Sequence, residues 1–232
     1  MTDISTYDLI IFDCDGTLAD SELAHNAVLL NQLHDFGLTE YTTQNTMEKF
    51  MGRAITDIVE TIETEHQVRF LPEHHKAAQD KYGQLLPDFI RLDPTTRPLL
   101  EKLRDNGQKM AVGSNGTRNN VIETIKAAGF DEFFPEDRIF TFEDVKNPKP
   151  SPDLYLHVCE VMHTNPRHAV VVEDTVTGAM AGISGNIDTI GYVGLCHREG
   201  QAQRLADIGC KQVISSMNEF ADILYPKRAM VS

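Results

Sequence analysis

Short apolar runs, each closed by glycine or by acidic residues, are separated along this chain by longer stretches in which apolar positions recur every three or four residues. The first run, Leu9-Ile10-Ile11-Phe12 within YDLIIFDCDGTLADSE, predicts a buried strand over residues 7–13. A helical stretch comes next, SELAHNAVLLNQLHDFG, with Ser21 as its N-cap and Gly37 as its stop. From there to about Leu92 no strand pattern occurs. TQNTMEKFMGRAITDIVETIETEHQV and PEHHKAAQDKYGQLLPDFI both have helical spacing and charged faces. LDPTTRP punctuates the chain, and the grammar then changes. Helices are predicted in PLLEKLRDNG, RNNVIETIKAAG, SPDLYLHVCEVMH and TGAMAGISGN. Strands are predicted at 109–115, 138–141, 168–174, in DTIGYVG, and in KQVI near the end. Strands separated by helices imply a parallel sheet covered on both faces. The fold expected is therefore α/β: a Rossmann-like parallel-sheet core, residues 1–20 and 93–232, with an α-helical insertion at 21–92.

Charge narrows the partners. The formal net charge is −14 over 232 residues. That argues against nucleic acid and against an anionic membrane, which both require basic surface. An anionic small molecule needs a local positive site that overcomes the global field. The cysteines Cys14, Cys159, Cys196 and Cys210 form no CxxC pair and read as reduced thiols. No signal peptide and no membrane span is expected, so the chain is placed in the cytoplasm. A monomer is expected, with a dimer as the second choice.

In a parallel sheet wound in both directions, ligands bind at the carboxyl ends of the strands. Polar groups fall at four such places. Asp13 and Asp15 come after the first strand, Ser114 and Asn115 end the second, Lys149 lies in the loop NPKPSPD, and Glu173 and Asp174 close the run AVVVED. Each has a plain structural explanation. Ser-Asn can cap a helix, a loop lysine is usually solvated, and Glu-Asp can cap a turn. All four together, at sheet ends, are hard to explain as packing.

The order DxDGT, Ser-Asn, a lysine in a KPxP loop and Glu-Asp after an apolar strand resembles the haloacid dehalogenase (HAD) superfamily. EDTVTGAMAGISGN is similar to that family's glycine- and alanine-rich stretch after its Glu-Asp pair. The resemblance implies that residues 21–92 form a helical cap domain hinged near Ala19–Ser21 and Leu92–Thr95. It also implies a Mg²⁺ site at Asp13, the Asp15 carbonyl and Asp174, with Glu173 behind them. Mg²⁺ suits such a site as a hard cation that takes a few oxygens and one phosphate oxygen. Asp13 is then the nucleophile, forming an aspartyl-phosphate, and Asp15 the general acid and base. Ser114, Asn115 and the helix starting near Thr117 face the phosphate, and Lys149 offsets its charge.

Within the family, Asp15 argues against the dehalogenases, which need no proton on a leaving oxygen. His25, in DSELAH, matches a sugar-steering histidine of the similar β-phosphoglucomutases. Met51 and Ile55 stand where those mutases carry a lysine and an arginine for a second phosphate, which favours hydrolysis. The phosphonate-cleaving branch needs a cap lysine after the glycine of FMGRAI, and Arg53-Ala54-Ile55 supply none. Arg53 is the candidate for specificity, and Lys49 is read as surface. The function expected is a Mg²⁺-dependent phosphatase of the sugar-phosphate branch, acting on small phosphate monoesters. The alternatives are a β-phosphoglucomutase-like mutase and, in another class, a catalytically silent binding or regulatory protein.

Overall fold

β1 is entirely apolar, and each of Leu9, Ile10, Ile11 and Phe12 is fully buried. A strand so buried must be covered on both faces, as parallel strands are. The computed structural model, which describes residues 7–50, 55–196 and 198–226, provides that cover. Six parallel strands form one sheet: β1 (Leu9–Phe12), β2 (Lys109–Ser114), β3 (Ile139–Thr141), β4 (Ala169–Glu173), β5 (Asp188–Tyr192) and β6 (Gln212–Ile214). Their spatial order is β3-β2-β1-β4-β5-β6. β1 is thus central, and the winding changes direction beside it.

Side chains alternate along β1, and this sets where the residues after it point. Leu9 and Ile11 pack with Leu154, Tyr155 and Val158 of one flanking helix, α7 (Asp153–Val161). Phe12 points to the opposite face, edge-on to Phe134 and to Phe220 of α10 (Met217–Leu224). In β4, Ala169 and Val171 share the face of Ile11. Period two therefore carries Asp13 and Glu173 toward the α7 side. Phe12 is level with Val172, so these two carboxylates are neighbours across the sheet. The remaining helices of this unit are α5 (Thr96–Asp105), α6 (Arg118–Ala127), α8 (Val176–Ser184) and α9 (Gln201–Asp207). Neither α9 nor α10 is among the elements expected from the sequence. α9 is short and has one strongly apolar anchor, Leu205. α10 does carry a signal, with Ser216 capping it through Glu219 N–H and Met217, Phe220 and Leu224 buried at helical spacing.

The chain divides into two compact units. Residues up to Asp20 together with those from Arg91 onward make the sheet unit, and Ser21–Ile90 make the other. The second unit is helical: α1 (Glu22–Asp35), α2 (Thr43–Phe50), α3 (Ile55–His66) and α4 (Pro72–Phe89). Its core contains Leu33, Tyr41, Phe50, Ile62 and Phe70. Pro72 sits at the first helical position of α4, where the missing N–H costs nothing. Ser21 is the residue before α1, but its side chain makes no capping bond. Gly37 does stop that helix, at φ +81°. Asp20 and Arg91, the last and first residues of the sheet unit around the insertion, exchange two backbone hydrogen bonds of 2.9 and 3.0 Å. Among the described residues no helix is long and apolar enough to cross a membrane.

Candidate active site

β1 ends at Phe12, and the Asp13 N–H still bonds to the Val172 carbonyl at 3.0 Å, which holds Asp13 at the sheet. The chain then turns. The N–H groups of Thr17, Leu18 and Ala19 all reach the Cys14 carbonyl, and Gly16 adopts φ +92°. A side chain there would also collide with Asp174, because a Cβ on Gly16 would lie 2.3 Å from Asp174 Oδ2. Glycine is thus needed twice over, for its backbone and for the close approach. The Asp15 carboxylate lies on the side of the loop after β2, near Gly116.

Lys149 donates from Nζ to Asp13 Oδ1 and to Glu173 Oε1, each at 2.7 Å. All three side chains are buried. Burial alone would lower the lysine's pKa, but the two carboxylates outweigh it and hold the ammonium charged well above its usual range. The Lys149 backbone is clasped by Asn115, whose Nδ2 donates to the Lys149 carbonyl (3.0 Å) and whose Oδ1 accepts from its N–H (3.1 Å). Asn115, expected at the phosphate, thus has its amide engaged in orienting the lysine loop. Ser114 is buried, and its Oγ accepts from Gly116 N–H at 3.0 Å. Its hydroxyl proton remains available to a ligand. The N-cap of α6 is Thr117, bonded to Asn120 N–H, so Ser-Asn is not a helix cap here.

Glu173 is nearly saturated by the protein. Besides Lys149 it accepts from Tyr155 O–H (3.1 Å) and from the N–H (2.8 Å) and hydroxyl (2.9 Å) of Thr175. Thr175 in turn caps α8 through Gly178 N–H. Gly178 approaches so closely that a Cβ on it would lie 1.5 Å from Glu173 Oε1. Tyr155 also lies beneath the Lys149 ammonium, 4.7 Å from ring centroid to nitrogen.

Oxygen atoms of Asp13, Glu173 and Asp174 lie within 4.8 Å of one another. Burial pushes the Asp13 carboxyl up to about 7; Lys149 opposes the shift and Glu173 adds to it. Asp174 is likewise raised well above its ordinary value by burial, then by Glu173 and Asp13. Three carboxylates around one ammonium leave the cluster short of positive charge. The donors are all hard oxygens. Both facts fit a divalent ion of the Mg²⁺ kind.

The other expected residues belong to the helical unit or fall outside the described residues. His25 is an exposed residue of the helical unit, its ring stacked on Tyr82 at 4.5 Å. Lys49 pairs with Glu65 and donates to Tyr41 O–H at 3.1 Å, an ion pair within that unit. Arg53 and Met51 fall outside the described residues. Tyr155, Thr175 and the buried Gln201, which donates to the Asp174 carbonyl, are site neighbours that the sequence did not single out. Thr175 had a signal, a threonine directly after Glu-Asp at a helix start. Tyr155 and Gln201 had none, because each acts across the fold.

Residues 10–192 match the haloacid dehalogenase-like hydrolases as a family, and the chain belongs to it. Within that family it stands with the phosphoric monoester hydrolases. It is 26% identical over 186 residues to a 6-phosphogluconate phosphatase of Escherichia coli, covering 80% of this chain and 82% of that one. It is 28% identical over 191 residues to a phosphoglycolate phosphatase of Psychrobacter arcticus, covering 79% and 82%. Among solved structures, a HAD family hydrolase from Deinococcus radiodurans with bound phosphate and sodium superimposes with a TM-score of 0.72. It has 25% identity and covers 94% of this chain and 95% of that one.

Proposed function

We propose that this chain is a Mg²⁺-dependent phosphatase that hydrolyses small phosphorylated metabolites, sugar phosphates or related monoesters, through an aspartyl-phosphate on Asp13. The observation that carries the reading is the buried Asp13–Lys149–Glu173 chain at 2.7 Å per link with Asp174 beside it. The relatives named for 6-phosphogluconate and phosphoglycolate supply the substrate class. The side chains of Asp13 and Asp174 and the Asp15 carbonyl would hold the ion, with Glu173 behind them. When bound, the ion offsets the repulsion between carboxylate and phosphate and polarises a phosphate oxygen.

The chain's own residues do the rest. Asp13 forms a bond to phosphorus as the bond to the leaving oxygen breaks, and Asp15 gives that oxygen its proton. Water then attacks the same phosphorus, Asp15 takes the water's proton, and the phosphorus–Asp13 bond breaks to release phosphate. Ser114 and the N–H groups at the start of α6 donate to phosphate oxygens, and Lys149 balances their charge.

The direct test is phosphate release from a panel of phosphorylated metabolites. Excess chelator is expected to abolish release and added Mg²⁺ to restore it. Release that persists in chelator would remove the metal from the reading. No turnover of any member of the panel with Mg²⁺ present would favour a silent binding protein.

Asp15 has its own signature. Asp15→Asn is expected to lower turnover of an alkyl phosphate by about 10²–10⁴-fold, the usual worth of a positioned acid and base. With an aryl phosphate, whose leaving group needs no proton, Asp13 is still expected to become phosphorylated, and rapid-quench mass measurement reads that adduct. Equal slowing of Asp13 phosphorylation by both substrates would show that Asp15 is not the acid.

A further inference from the structure

Gln201 is buried at the start of α9, a helix with no part in the proposed chemistry. Its Nε2 donates to the Asp174 carbonyl at 2.5 Å, and its Oε1 accepts from Arg204 Nε at 2.9 Å. The second bond fixes the sense of the first. A guanidinium can only donate, so it must face the amide oxygen, and the amide nitrogen is left for the carbonyl. The peptide after Asp174 is therefore held from both sides. Thr175 is tied down through Glu173, and Gln201 ties down the carbonyl itself. Asp174 leaves β4 at this point, where no ladder partner fixes it. α9 is anchored in turn by Leu205, packed 3.1 Å from where a Cβ of Gly191 on β5 would be.

We propose that Gln201, oriented by Arg204, is a positioning residue for the divalent ion: it fixes the Asp174 backbone and so aims the Asp174 carboxylate at Asp13. This rests on the reading of Asp174 as a metal ligand. Partners that orient a ligand from behind typically account for about 10- to 100-fold in metal affinity.

The experiment is calorimetric titration of the full chain with Mg²⁺ alone, no substrate present, with turnover measured separately. Gln201→Met preserves length and volume and removes both bonds. It is expected to weaken Mg²⁺ binding about tenfold or more, while kcat at saturating Mg²⁺ changes less than threefold. Arg204→Met leaves the amide free to turn over and is expected to weaken binding by less, in the same direction. Gln203→Ala, on the exposed side of the same helix, is expected to bind as the unaltered chain does. Should Gln201→Met fail to fold, Arg204→Met decides alone. Unaltered affinity in the folded variants overturns the role of Gln201 and leaves the metal site standing. Absence of Mg²⁺ binding by the unaltered chain overturns the metal reading itself, and the role of Gln201 with it.

Discussion

Asp13→Asn is expected to lower phosphate release by at least about 10³-fold, roughly 4 kcal/mol of lost transition-state stabilisation, without unfolding the protein. An amide of the same shape cannot attack phosphorus. It can still accept the Lys149 bond through its oxygen, and the Val172 carbonyl still receives the residue 13 N–H. The substitution also removes a carboxylate from a buried cluster short of positive charge. Melting in chelator is therefore expected within a few degrees of the unaltered chain, or above it. Steady-state release and a thermal melt check both halves. Near-normal turnover in the folded variant would exclude the covalent route.

The second large effect belongs to Lys149. Lys149→Met keeps most of the volume but strands two buried carboxylates that now share one ammonium at 2.7 Å each. Removing one partner of a buried ion pair costs about 3–5 kcal/mol, because the charge left behind is uncompensated. For a chain of this size that is a fall of about 6–20 °C in Tm. Mg²⁺ is expected to return part of the loss, since it supplies charge to the same carboxylates. Turnover is expected to fall about 10²–10³-fold, the worth of one preorganised group at the developing charge. Melts with and without Mg²⁺ measure the first effect. A Tm change under about 2 °C in chelator, below the range expected for a broken buried pair, would mean that the ammonium does not hold the cluster together.

Much of this was legible in the residues because parallel strands are buried on both faces and write themselves as unbroken apolar runs. LIIF, AVVV and MAV each mark a strand of the sheet, and the polar groups just past them mark its working edge. The helical insertion was legible for the opposite reason, as a long stretch with no such run. The short helices α9 and α10 were not found. α9 carries too few apolar residues to set a period, and the α10 pattern lies in a segment with little else to frame it. At the site, carboxylates and lysine stand out because burying them is costly. Tyr155 and Gln201 do not, since ordinary polar residues gain their roles only from the partners that the fold brings within about 3 Å, hydrogen-bond distance. Asn115 does stand out, as a polar strand end, but not in the role that it takes. The clasp of Asn115 on the Lys149 loop joins residues 34 positions apart and leaves no local trace.

The central position of β1 has a consequence for how the chain is made. Both of its partners, β2 and β4, lie beyond the helical insertion in the sequence. On a ribosome moving at about 5–20 residues per second, the interval between Phe12 and Lys109 lasts roughly 5–20 s. The contacts that make Ser21–Ile90 a compact unit lie within that one segment, so the unit can form once α4 has emerged, before β2 is made. β1 meanwhile emerges well before β2 and β4, and until they follow both of its edges lack the partners of the finished sheet, the condition under which apolar strands recruit other chains. The strand that delivers Asp13 is therefore the one most in need of shielding during synthesis.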